Sequence, residues 1–213
     1  MLRFWQIVAG GASLPRTPDP ALEARIVAAA LRLLDRGGEP AITVRAVATE
    51  ARTTTPTLYD RFADRDILMG AVVDQATEDV LAVIRPLRSV EAMFREYLRF
   101  GCAHPMRFNL TVEMFGSRLQ GGEKMPAFDL LKTRIAEGIG VRGNRGEDLA
   151  FAIASLAFGT VRGMIAAGND TRHANELRRA SLAALRLLLA AFKPKASQNK
   201  RRKSARRVRR SRG

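Results

Sequence analysis

Two helical stretches too short to stand alone, Val44–Ala51 and one opening at Thr54 or Thr55 and running to Phe62, follow each other across a turn at Arg52-Thr53. Helices of two turns are unstable by themselves and cannot bury their apolar faces against each other alone, so they must lean on a longer neighbour. That neighbour lies upstream. Asp19 is placed to cap a helix, Pro20 suits its first position, and Leu22, Ile26, Ala29, Ala30, Leu33 and Leu34 recur at helical spacing until Gly37-Gly38 ends the run. Thr43 is placed to cap the second helix, which buries Val44, Val47 and Ala48, while Pro56 falls in the first turn of the third, where proline costs little.

Asp64 opens a fourth helix that continues past Leu68, Val72 and Val80 to about Arg85, where Pro86 stops it. Helical patterns follow at Val90–Ala103, Pro105–Ser117, Pro126–Gly138, Glu147–Ala167 and Thr171–Phe192, with Gly, Pro or Asn at the breaks and no sustained strand alternation. The expected fold class is therefore all-α, with nine or so helices. Its organisation reads as a flexible Gly/Pro-rich arm over 1–19, a helix-turn-helix domain over 20–63, a helical domain over 64–192 and a basic tail over 193–213.

The chain's formal charge of +15 is concentrated: residues 193–213 hold 11 Lys and Arg and no acid, leaving only +4 on the rest. Such a tail cannot bury enough surface to order itself, but it adheres to polyphosphate through counterion release. We expect it to raise nonspecific DNA affinity without reading bases. A single cysteine, Cys102, excludes an intrachain disulfide and a cysteine metal cluster, and it reads as a small buried hydrophobe. Two histidines make a metal site unconvincing; His104, before Pro105, reads as a capping or core residue. No stretch approaches the roughly 20 apolar residues of a bilayer span, since Arg162 interrupts the longest run, so no membrane partner is expected. Residues 1–13 resemble a signal peptide only faintly, being undersized in both charged and apolar regions, and a cytoplasmic location is expected.

In a helix-turn-helix, the second short helix enters the major groove of DNA. Leu58 and Phe62, four residues apart, face the core and leave Thr55, Thr57, Tyr59 and Arg61 outside. Hydroxyls and a phenol bond phosphates or base edges, Pro56 and the threonine methyls suit a thymine methyl, and Arg61 suits phosphate or guanine. Tyr59 also fits a core aromatic, and Arg45, Arg52 and Arg61 also fit ordinary solvated charges. The chain shows no Ser/His/Asp set, no paired carboxylates at a plausible site and no phosphate loop, so neither catalysis nor a cofactor is expected.

Residues 42–68, ITVRAVATEARTTTPTLYDRFADRDIL, resemble the signature of the TetR family of bacterial repressors. The likeness rests on a Thr opening helix two, a Val-Ala pair inside it, a Thr-Leu-Tyr triplet in helix three, the Phe that closes it and the run opening helix four. Helix one fits as well, so the resemblance covers about residues 22–70. It implies that Thr43 bonds a phosphate, that Thr54 and Thr55 cap and begin the recognition helix, and that Thr57 and Tyr59 contact DNA. Arg65 stands where the family usually has a phosphate-binding Lys. Arg52 stands where the family's turn has Gly; a positive φ there would cost about 1 kcal/mol. Asp60 repels phosphate and is left out of the site.

Tyr97–Phe115 and Ala154–Ala167 resemble, more faintly, the C-terminal domain of one TetR subgroup. The resemblance implies a homodimer formed by the last two helices as a four-helix bundle, with Ala152, Ala154, Ala157, Gly159 and Gly163 as small residues that permit close approach. A cavity between helices five to eight would be lined by Phe94, Tyr97, Leu98, Phe108, Val112, Phe115, Phe128, Leu131, Phe151 and Phe158, although apolar residues at helical spacing pack as core by default. The function implied is a repressor bound to a palindromic double-stranded DNA operator and released by a small apolar or amphipathic effector. The rival is a nucleoid-type architectural protein dominated by the basic tail.

Overall fold

The computed structural model describes residues 20–193, apart from Glu123, Asp170 and the side chains of Gly116 and Ser117. The arm, the capping Asp19 and the basic tail beyond Lys193 lie outside the described residues. Those described form α1 (Pro20–Gly37), a 3-10 turn (Glu39–Ala41), α2 (Val44–Glu50), α3 (Thr55–Tyr59), α4 (Arg65–Ile84), α5 (Val90–Ala103), α6 (Pro105–Gly121), α7 (Pro126–Ile139), α8 (Gly143–Ala167) and α9 (Arg172–Phe192), with no strand among them.

The helix starts follow their caps. Oxygens of Thr43, Thr54, Asp64, Ser89 and Thr171 accept the N–H of Ala46, Thr57, Ile67, Ala92 and Ala174, satisfying donors that have no partner inside the helix. Pro56, Pro105 and Pro126 sit in first turns, where no donor is lost. Regular helix in α3 stops at Tyr59, short of the expected Phe62. Asp60–Phe62 closes as a turn instead, the N–H groups of Arg61 and Phe62 both donating to the Leu58 carbonyl at 3.0 and 2.8 Å.

Two main cores form. The first joins Ile26 and Leu34 of α1, Val47 of α2, Leu58, Phe62 and the first turns of α4. The second gathers Phe94 and Leu98 of α5, Phe128 and Ile135 of α7, Leu149 and Val161 of α8 and Leu185 of α9. Helix α6 enters both: Leu110 belongs to the first core and Phe108 to the second. Arg107, at the start of α6, donates to Asp35 of α1 (Nη2, 2.6 Å) and to Asp79 of α4 (Nη1, 2.6 Å). Buried Arg134 of α7 fastens the α4–α5 connection, donating to the carbonyls of Leu87 (2.9 Å) and Arg85 (3.2 Å).

One expectation needs correction. Helix α8 is long and apolar enough, by length and composition, to cross a membrane, despite Arg162. Its apolarity serves the protein interior, because Leu149, Ala150, Ile153, Ala157, Val161 and Met164 are buried against the neighbouring helices. Small residues of α8 meet different neighbours: Ala154 and Ala157 face the cavity, and Gly163 admits Leu177 of α9 in the same chain. Gly159 is open to the outside, where no atom lies within 4 Å of a Cβ placed there.

The approach of α5 to α8 depends on Gly101. A Cβ at that position would stand 2.7 Å from Val161 Cγ1 and 3.1 Å from Phe108 Cδ2. Gly101→Ala is expected to destabilise the protein by about 1–3 kcal/mol through overpacking, read as a lower denaturation midpoint in urea.

Candidate DNA interface and internal cavity

The candidate reading surface is built on α1. Glu50, at the end of α2, accepts hydrogen bonds from Arg32 (2.7 Å) and Arg36 (2.6 Å) of α1, and these hold its carboxyl below the ordinary carboxylate range. The pair of guanidinium groups ties α2 to the longer helix. Leu58 and Phe62 then anchor the next segment in the first core. That anchoring turns the opposite side of α3 to solvent: Thr54, Thr55, Pro56 and Tyr59 are exposed, with Tyr59 50% accessible despite its apolar ring. Thr57 is half-buried, its Oγ1 2.8 Å from Thr54 Oγ1. Thr43, the cap of α2, and Arg45 in its first turn are exposed.

Arg52 is the one non-glycine residue with positive φ among those described, at 53°. The turn demands that geometry, because the N–H of Thr53 reaches back to the Ala48 carbonyl at 2.9 Å. The side chain is exposed beside the start of α3.

Arg61 departs from the expected arrangement. Its side chain is only 13% exposed and turns back to α1, with Nη1 3.8 Å from Glu23 Oε1, so it packs the domain instead of projecting beside Tyr59. Arg65 remains exposed, bonded to Glu39 (2.9 Å) and reaching the Ile42 carbonyl (3.4 Å). Arg61 and Arg65 are engaged with Glu23 and Glu39, and the carboxylate of Asp60 is exposed.

A cavity of about 130 Å³ lies between α4, α5, α6, α7 and α8. Six of the ten expected residues line it: Phe94, Tyr97, Phe115, Phe128, Leu131 and Phe158. Phe115 meets Phe158 edge-on at 5.3 Å and Phe128 at 5.7 Å, and Tyr97 lies 6.1 Å from Phe158, so the wall is a connected set of rings. Burial pushes the Tyr97 hydroxyl above its ordinary pKa, leaving it protonated. The other four do not line the cavity. Leu98 and Phe108 are fully buried core, Phe151 packs behind Phe128 at 4.7 Å, and Val112 is half-buried against the second core.

Sequence reasoning missed the α4 wall, Val73, Thr77, Val80 and Ile84. Their spacing of four, three and four was a usable signal, but it served equally well for core packing. It also missed Arg118, which lines the cavity while ion-paired with Asp74 of α4. Nothing in the sequence distinguishes that arginine from a solvated one.

An all-helical body carrying a capped helix-turn-helix, with its second short helix presented to solvent, defines the class: a helix-turn-helix DNA-binding regulator. Residues 26–72 match the family model of bacterial regulatory proteins of the tetR family. No protein of curated function matches the chain in sequence. Among solved structures, it is similar to a TetR-family transcriptional regulator from Streptomyces coelicolor, with 19% identity, a TM-score of 0.62 and coverage of 80% of this chain and 98% of that one. It is also similar to BioQ with its double-stranded DNA operator (23%, 0.58, 80% and 98%). A third is a TetR variant from Acinetobacter baumannii in complex with minocycline (18%, 0.60, 83% and 97%). At these identities the likeness is one of fold.

Since L residues at left-handed φ carry a penalty of about 1 kcal/mol, Arg52→Gly is expected to stabilise the protein by about that amount, seen as a higher midpoint in chemical denaturation. A midpoint unchanged or lowered would show that the turn is not strained at this residue.

Proposed function

We propose that the chain is a homodimeric repressor, with residues 20–63 reading a palindromic operator and residues 64–192 holding the partner subunit and a small-molecule effector that releases the DNA. Thr43, Arg45, Arg52, Thr54, Thr55, Pro56, Thr57, Tyr59 and Arg65 form the contact surface. Threonines at caps bond phosphates; Tyr59 and Pro56 meet base edges and methyl groups. The observation that carries this reading is the exposed Tyr59 on a helix whose opposite side is locked into the core. BioQ's operator complex and the minocycline complex support it by likeness of fold. A tail-driven architectural protein has no need of such a capped reading helix. The site of action is the cytoplasm, where bacterial DNA lies.

The proposed partner surface is the outer side of α9. Ala180, Ala183, Ala190 and Ala191 are exposed there, with Leu187 72% accessible at the centre. An apolar strip of this kind on a soluble helix is covered most simply by its own copy about a two-fold axis. The dimer places two α3 helices in successive major grooves, about 34 Å apart. The effector favours the state in which this spacing is wrong, and so lowers operator affinity by differential binding.

DNA selected from a random pool by the full chain should contain a two-fold symmetric site, and footprinting should protect both halves. Tyr59→Ala is expected to lower affinity for that site at least about tenfold with unchanged thermal stability. Asymmetric protection, or wild-type affinity in the variant, would overturn the reading. Leu187→Glu is expected to yield monomers by analytical ultracentrifugation, because a carboxylate at the middle of an apolar interface loses its hydration. A dimer that survives this change uses another face.

A further inference from the structure

The chemistry of the cavity wall narrows the effector, an argument that rests on the reading of the chain as effector-responsive. Every lining residue is apolar except Thr77, Tyr97, Thr111 and Arg118. The Thr77 hydroxyl donates to the Val73 carbonyl at 2.8 Å and that of Thr111 to the Phe108 carbonyl at 2.9 Å, so both protons are used within their own helices. Tyr97 is different. Its ring is held between Phe108 and Phe158, and its hydroxyl has no hydrogen-bond partner among the described residues. It is a donor in search of an acceptor.

Among the described residues, Arg118 supplies the only formal charge in the wall, and no Asp or Glu lines it. One partner, Asp74, stands outside the wall with its side chain 68% exposed, whereas that of Arg118 is only 16% exposed. An ion pair wet on its carboxylate side is weak. A carboxylate brought from the apolar side would meet the same guanidinium in a drier place, where the attraction is stronger. Phe115 and Arg118 are three apart on one face of α6, so a ring lying against Phe115 carries a short substituent to Arg118. The volume sets the size: an engineered apolar void of about 150 Å³ holds benzene.

We infer that the effector is a compact apolar monocarboxylate, its ring among Phe115, Phe128 and Phe158, its carboxylate displacing Asp74 on Arg118, and an acceptor oxygen taking the Tyr97 hydroxyl proton in a hydrogen bond. A cationic ligand finds no counter-charge among the described residues of the wall. Displacing Asp74 breaks the Arg118–Asp74 ion pair between α6 and α4, the helix that continues directly from the reading head.

Three probes of one shape test the inference: phenylacetate, the neutral phenylacetamide and the cationic phenethylamine. Each is titrated by calorimetry into the DNA-free full chain and, in parallel, into the chain bound to its selected operator. Phenylacetate is expected to bind at least about tenfold more tightly than the amide, because the site is built to pair its charge, and the amine not at all. Arg118→Gln should bring the acid-to-amide ratio close to one. Asp74→Asn should tighten acid binding several-fold, a gain that misfolding cannot produce. Tyr97→Phe should weaken acid and amide alike. The inference is overturned if the amide or amine matches the acid, if Asp74→Asn leaves acid affinity unchanged, or if none of the probes binds. Neutral binding that releases the operator would remove the carboxylate and leave the effector reading standing. Acid binding that leaves the operator complex intact would do the reverse.

Discussion

Helix α6 is claimed by two cores, and the rest of the molecule is arranged around that claim. Phe108 and Leu110, two residues apart, point into opposite cores, and Arg107 just before them grips α1 through Asp35 and α4 through Asp79. The Asp35 hydrogen bond is the main reason the guanidinium's pKa is raised. Close-packed interiors have discrete arrangements instead of sliding continuously. Whatever moves α6 must therefore either carry α1 and α4 with it or part them from it.

The same helix makes the cavity wall through Thr111, Met114, Phe115 and Arg118, and Met114 also packs on the first core. An occupant of the cavity and the reading head thus press on one element from opposite ends. Arg107 and Arg118 mark those ends, each paired with a carboxylate of α4. The first pair is half enclosed; the second is open on its Asp74 side. If one contact is to yield while the other holds, the open one yields first.

How much of this was legible in the sequence depends on how local its cause is. The helix starts were readable because a cap acts over three residues: Thr43, Thr54, Asp64 and Ser89 bond the N–H three positions on. The need for positive φ at Arg52 followed from the family's glycine at that turn, and the turn has that geometry. Arg61 was misplaced because the regular helix ends at Tyr59, and the turn after it swings the next side chain toward Glu23, a residue far off in sequence. The cavity was half readable for a related reason. Periodicity identifies which face of a helix is apolar, but only the packing of five helices decides whether that face meets a neighbour, as Leu98 and Phe108 do, or a void, as Phe94 and Phe158 do.

The void carries an argument of its own. Ala154, Ala157 and Ala127 line it where bulkier residues would fill it, while Met93, Met114 and Met125 supply side chains that adapt to what enters. A wall that keeps small residues beside flexible ones, with a phenol proton left without an acceptor, is poorly explained by stability and well explained by an occupant. An occupant of this space would touch α6 directly, through Thr111, Met114, Phe115 and Arg118.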